Sequence, residues 1–400
     1  MRYFTRSFNI DHPTTALFQP ALLRHHPSVV EIGDYWERYG SGIGLGNNAA
    51  LSGLGEYYER RHFFSEVSSH RKSLLSDTLE VQEAIDFTHA LHQTMLSSET
   101  PNSLSNHIFH KTSVKRLSNF SNCEIPTVCI SISPAKLGGD NNFHPVRDTC
   151  GCSFHWNLES AILGALRESI ERQFLLKFWL TKKCNLELNL SEYHNRLALS
   201  GALPILQALE SSGSVTALDI SDGNFPGKCI IVLYGTSTPE HFVHYCAGMA
   251  YSDSEETALE KSIYELWQTF RFIRNFHTFN NDINKIKDPY LRHFLNINTY
   301  TTYVDIAKNL ITSETNSRLP AKPINSNTLI NSIKQADISG YIYIKPTKTA
   351  KRPYFFCKYI SPKAFMHMNN SSHLNIKNKY SENFIHQIDK ARQNAMVPFP

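Results

Sequence analysis

The chain has no long apolar run, no strong charge of either sign and no second cysteine pair to match its one close pair. No window approaches the eighteen or so apolar residues that a membrane-spanning helix needs. The N-terminal stretch MRYFTRSFNIDHPTTALF has neither an apolar core nor a small-residue cleavage site, so no secretory signal is expected. A net charge of only +4 over 400 residues gives a nucleic-acid role no support from composition. The eight cysteines are scattered, and only Cys150 and Cys152 lie close together. Without a partner pair at zinc-ligand spacing, these two read as small buried thiols rather than a metal clip or a nucleophile. Reduced thiols and no signal together point to a cytoplasmic protein. The glycine run GSGIGLG at 40–46 could let backbone approach a phosphate, yet it matches neither the P-loop nor the dinucleotide fingerprint. No Ser–His–Asp grouping is evident. The histidines at 25–26, 62, 155 and 367 read as packing or surface residues.

What is present is an ordinary globular composition, 41% hydrophobic and 12% aromatic, with core enough for one large or two medium domains. Residues 1–39 look irregular, interrupted by Pro13, Pro20 and Pro27. Periodicity predicts helices over 78–98 and 203–213, the latter closing on Gly213. Alternating or continuous apolar runs predict strands at 125–133, 214–221, 228–235 and 241–252, with closing strands at 341–346 and 354–361. No linker divides the chain. We expect one unit over 1–400 of α/β class, with ligands at helix N-termini, its ATP-site motifs within 40–275, no carboxylate motif over 276–337, and a C-terminal part, 276–400, that ends in a proline-containing tail.

The chemistry is carried by a pattern that occurs three times. In GEYYERRHFF and the residues before it, Ala49, Ser52, Gly53, Glu56, Glu59, Arg60 and Phe63 fall on one helical face, opposite Leu51, Leu54, Tyr58 and Phe64. The same offsets give Ala161, Gly164, Ala165, Glu168, Glu171, Arg172 and Leu175, backed by Ile162, Leu163, Leu166, Ile170 and Phe174. They then give Ala258, Lys261, Ser262, Glu265, Gln268, Thr269 and Phe272. One carboxylate-bearing face is ordinarily a solvated one. Three in register, each after a strand and a loop, argue for a single convergent acidic site. Clustered carboxylates beside arginine suit nucleotide phosphates held through Mg²⁺, a hard cation that bridges carboxylate and phosphate oxygens. A glycosidase needs only two carboxylates, not five on three helices.

Taken together, Ser52, Glu56, Glu59 and Arg60, then Glu168, Glu171 and Arg172, then Glu265 and Gln268, resemble the signature of the YcaO superfamily. RDTCGCSFH at 147–155, HMNN at 367–370 and the terminal MVPFP extend the resemblance, within that family, to its azoline-forming cyclodehydratases. The resemblance implies an ATP-dependent enzyme that closes Cys or Ser residues of a ribosomally made precursor peptide into thiazolines or oxazolines. By position, Glu56, Glu59, Glu168 and Glu171 would hold Mg²⁺. Ser52, Arg60, Arg172 and Gln268 would contact the nucleotide or orient those carboxylates. The implied partners are the precursor peptide, a leader-binding subunit and an FMN-dependent azoline dehydrogenase, with neither nucleic acid nor membrane. Family members often end in a PxPxP tail, of which Pro398 and Pro400 remain, and Pro400 at the chain end is the implied catalytic residue. The tail is expected to be ordered and to contribute nothing to the core. Phe270 stands where an arginine often follows the third motif, with Arg271 one residue on. The alternatives are a non-catalytic nucleotide-binding scaffold and a thioamide-forming relative.

Overall fold

The computed structural model describes residues 15–19, 27–34, 39–279, 282–308, 310–312, 323–348, 353–369 and 373–399. Among these, three antiparallel sheets each deliver an edge strand to a long helix. The first sheet is β1 (Thr15–Gln19), β2 (Ser28–Gly33) and β3 (Tyr39–Gly44), followed by helix α1 (Asn48–Ser65). Next come β4 (Arg71–Ser73), α2 (Val81–Thr94), α3 (Pro101–Ser105), β5 (Phe109–Arg116), β6 (Asn122–Pro126), β7 (Cys152–His155) and α4 (Leu158–Thr181). The third set is β8 (Lys183–Cys184), β9 (Leu186–Glu187), α5 (His194–Ser200), α6 (Leu203–Ser212), β10 (Ser214–Asp219), β11 (Lys228–Gly235), β12 (Tyr245–Ser252) and α7 (Glu255–Thr278). The remainder adds α8 (Pro289–Asn296), α9 (Tyr300–Ala307), β13 (Ile311–Thr312), α10 (Ser326–Gln335), β14 (Tyr341–Lys348) and β15 (Pro353–Ile360).

The glycine run at 40–44 is strand rather than loop, because helix α1 lies directly on it. A Cβ on Gly40 would fall 2.1 Å from the Tyr57 nitrogen, and one on Gly42 2.1 Å from the Ala49 carbonyl oxygen. Such contact admits no side chain, so these glycines serve helix-on-strand packing. The same device recurs where α7 crosses β12: a Cβ on Gly248 would lie 2.1 Å from the Leu266 nitrogen. Small residues at the start of each repeat, Ala49 and Gly53 or Ala258 and Ser262, therefore face the sheet and are buried. Of the expected apolar back of α1, Leu54 and Tyr58 pack against the core, but Leu51 and Phe64 do not. Leu51 is 60% exposed and Phe64 44%, while Tyr57, Tyr58, His62 and Phe63 pack inward.

Local signals set the other two helices. Asn157 caps α4 by accepting from the Ser160 N–H, and Ser254 caps α7 by accepting from the Thr257 N–H. Strand β11 reads as a continuous apolar run because both its faces are covered. Cys229, Ile231 and Leu233 join the core beneath α4, and Ile230, Val232 and Tyr234 the core beneath α6 and α7. The strand expected over 125–133 ends at Pro126, after which Thr127–Cys129 form a buried 3-10 turn. The 341–346 and 354–361 segments do not close the fold from outside. In the order β4-β5-β14-β15-β7 they occupy central positions, binding β5 to β7.

Candidate active site

Among the described residues, strands β3, β7 and β12 each end a sheet, so each presents backbone N–H groups that no neighbouring strand accepts. The helical glutamates accept them. Glu56 on α1 accepts from the Ser41 N–H of β3 at 2.8 Å, and Glu59 accepts from the Phe154 N–H of β7. Glu171 on α4 accepts from the Tyr251 N–H of β12 at 2.8 Å, and Glu265 on α7 from the Met249 N–H at 3.4 Å. Gln268 closes the circuit by donating its amide to the Ser41 hydroxyl at 2.7 Å. The three repeats thus meet around one cleft. The glutamates stand in the middles of their helices, not at the N-termini expected from the sequence.

Charge in the cleft is crowded. Burial and then Glu56 push the Glu59 carboxyl up to about 8. Burial and then Glu59 hold Glu168 well above the ordinary value, and burial raises Glu171 against the pull of Arg172. Burial and then Glu171 push Glu265 up to about 8. These side chains nevertheless reach solvent: Glu168 keeps 24% of its surface and Arg172 21%, while Glu265 is exposed. Groups walled in by protein yet reachable by solvent line a cleft. Burial works against the Arg172 guanidinium, but Glu171 and Glu168 keep it protonated, with Glu168 at 3.9 Å. Arg60 pairs with Glu56 at 2.5 Å and is itself exposed, as is Ser52 two turns before it.

That donor set fits a cation and the phosphates it would bind. All the raised carboxylates are hard oxygen donors whose mutual repulsion a divalent ion relieves. Among the described residues, no three His, Cys, Asp or Glu side chains converge closely enough to hold a metal alone. Mg²⁺ suits such a spread arrangement, since it uses one or two carboxylates and completes its shell with phosphate oxygens and water. The crowding also sets a pH dependence. Between about pH 4.5, the ordinary glutamate value, and about pH 8, the folded protein retains protons on Glu59 and Glu265 that the unfolded chain has released. Stability of the ligand-free protein should therefore fall as pH rises through that window. Glu59→Gln should flatten the fall and raise the thermal midpoint at pH 8. A midpoint in that variant with the wild-type pH slope would refute the assignment.

The sequence pattern left three cleft residues unremarked. Asp148 ties the 147–152 loop to the C-terminal region: its carboxylate accepts from the Cys150 N–H at 2.9 Å and the Met368 N–H at 2.6 Å. Its charge bears on Glu168 and Tyr290. Lys358, nearly fully buried, donates to the Asp148 carbonyl at 3.1 Å and draws down Glu59. Arg167 donates to the Tyr251 carbonyl beside Glu171. Only Asp148, inside the RDTCGC segment, had a sequence signal. Burial, then Asp148 for Cys150, holds both thiols well above the ordinary value, so neither is an ionised nucleophile. All eight cysteines are free and buried. Arg271 lies over the Trp267 ring, 5.8 Å from its centroid. Pro400 and Asn370 lie outside the described residues.

The tail before Pro400 overturns one expectation. Val397 is 1% and Phe399 2% exposed, both within the core beneath α4. Tyr245 donates to the Pro398 carbonyl at 2.8 Å, and Tyr290 donates to that of Phe399. The chain end thus fills space between α4, β12 and α8, and it does hold the core. Tyr290 lies close enough to Arg172 and Asp148 to feel their charge, which places the tail beside the cleft.

Comparison with known proteins shows the family. The family model described as YcaO cyclodehydratase, ATP- and Mg²⁺-binding, matches residues 41–337. The Microcin B17-processing protein McbD of Escherichia coli is 34% identical over 394 residues, 97% of this chain and 97% of that protein. A chain of the E. coli Microcin synthetase McbBCD complex with pro-MccB17 bound superposes with a TM-score of 0.89 at 34% identity, over 97% of each chain. YcaO from Methanopyrus kandleri, bound with AMPPCP and Mg²⁺, shares the fold, with a TM-score of 0.55 at 12% identity over 90% of this chain and 88% of that one. No helix among the described residues is long and apolar enough to cross a membrane. With its three carboxylate helices in register and this match across most of its length, the chain belongs to the YcaO cyclodehydratase family.

Proposed function

We propose that this protein is the ATP-dependent cyclodehydratase of a microcin B17-like synthetase, working in the cytoplasm as one unit over residues 1–400. A Cys thiol or Ser hydroxyl of a precursor peptide attacks the preceding amide carbonyl. ATP supplies the phosphoryl group that turns the former carbonyl oxygen into a leaving group, and loss of phosphate leaves a thiazoline or oxazoline. The observation that carries this reading is the circuit of glutamates on three sheet edges, in a chain alike to McbD over 97% of its length.

Glu56, Glu59 and Glu171 of that circuit, with Glu168 beside them, are the carboxylates from which Mg²⁺ takes its ligands, and the strand N–H groups that the first three engage fix their orientation. Arg60, Arg172, Ser52 and Gln268 face the nucleotide. The partners are a leader-binding subunit and an FMN-dependent azoline dehydrogenase, as expected of a relative of the McbBCD assembly. Intact carboxylates in all three repeats favour an enzyme over a scaffold, which has no use for them. The test is mass spectrometry of a precursor peptide coexpressed with this chain and the leader-binding subunit. Each ring removes one water, a loss of about 18 Da set by the reaction class. An unmodified precursor from an assembled complex would exclude the reading, and a gain of sulfur in place of oxygen would indicate thioamide formation.

A further inference from the structure

Gly55 sits in the middle of α1, where glycine is unfavourable relative to alanine. Its neighbours Gly40, Gly42 and Gly53 are explained by the tight approach of α1 to β2 and β3. Gly55 is not. Among the described residues, a Cβ there would meet only the Phe154 Cδ1, at an ordinary 3.6 Å, and its backbone is not in the left-handed region. Nothing among the described residues demands its bareness. It lies one turn before Glu59 on the same side of the helix, and Phe154 is the residue whose N–H Glu59 accepts.

Beyond Phe154 the wall of the cleft is aromatic. The Trp156 ring, 41% exposed, packs edge-on against Phe154 at 5.1 Å and Tyr354 at 5.8 Å. Buried Tyr58 stacks behind Phe154 at 5.5 Å and behind Tyr354 at 5.9 Å, so the surface is firmly backed. We propose that Gly55, Phe154 and Trp156 seat the segment of precursor peptide flanking the reacting amide. This rests on the cyclodehydratase reading and names the substrate surface of that site. Polyphosphate belongs with the carboxylates and their cation. A polypeptide has to leave the cleft on both sides of its reacting amide. Bare helix backbone lets another main chain come close, and uncharged rings suit its peptide planes and small side chains.

The experiment is steady-state ring formation by the assembled complex, with precursor and ATP varied separately, for Gly55→Ala and Trp156→Ala. Gly55→Ala should leave the thermal midpoint unchanged or raise it by about 1–2 °C, since alanine favours helix. The same variant should raise the KM for precursor by about tenfold or more while that for ATP stays within about twofold. Trp156→Ala should raise the precursor KM in the same direction. An unchanged precursor KM in both variants overturns the proposal. A rise in the ATP KM instead assigns the surface to the nucleotide base, and a lowered midpoint in Gly55→Ala shows that the glycine serves packing. Failure of the cyclodehydratase reading is distinguishable, because the wild-type complex would then form no rings at all.

Discussion

Replacing Glu168 or Glu171 with glutamine is expected to lower precursor-dependent ATP turnover by about a hundredfold or more, with the fold intact. Glutamine keeps the volume and an acceptor oxygen but removes the charge that Mg²⁺ requires. Losing a charged ligand costs at least as much as losing a supporting contact, about 3 kcal/mol of transition-state stabilisation for a hundredfold change. The two positions should differ in stability. Burial and Glu59 already disfavour the Glu168 charge, so Glu168→Gln should leave the thermal midpoint equal or higher. Glu171 accepts from the Tyr251 N–H, a bond that the glutamine oxygen can keep, and Arg172 retains Glu168 as its partner. Both variants should also need more Mg²⁺ for half-maximal rate. Wild-type ATP turnover and Mg²⁺ dependence in both, measured in the assembled complex with precursor, would remove these residues from the metal site.

Deleting Val397–Pro400 should abolish ring formation and also lower the thermal midpoint by several degrees. Phe399 and Val397 are almost wholly buried, and truncating one core phenylalanine alone costs about 3–5 kcal/mol. The deletion further leaves the Tyr245 hydroxyl, buried in the core, without the Pro398 carbonyl. Activity lost in this variant therefore mixes packing with chemistry. Removing Pro400 alone separates them, because Val397 and Phe399 remain. We expect ring formation to drop by about tenfold or more in that shorter deletion, with the midpoint within about 1 °C of wild type, if the chain end arranges the reacting amide. Full activity without Pro400 would make the tail a purely structural plug.

The three helices and their register were legible in the sequence because helical periodicity is local. Glu168 and Glu171 lie on the face that their spacing predicts whatever the helix packs against, and Asn157 and Ser254 mark helix starts through bonds to their own next turn. Strand β11 was equally plain, since burial on both faces writes a continuous apolar run. Much else depended on contacts between residues far apart in the chain. Gly40 and Gly42 have no strand propensity and form one because α1 lies upon them. Strands β1 and β2, within a region that its prolines mark as irregular, gain their structure from pairing with each other and with β3. The C-terminal strands β14 and β15 became central because β5 and β7 lie on either side of them. Val397 and Phe399 look like a frayed end until α4, β12 and α8 leave a space that they fill. The residue types at the site were thus determined by the sequence alone. Which edge N–H each glutamate accepts, and hence that three helices make one cleft, was decided by the meeting of three sheet edges, because those bonds exist only once distant strands are assembled.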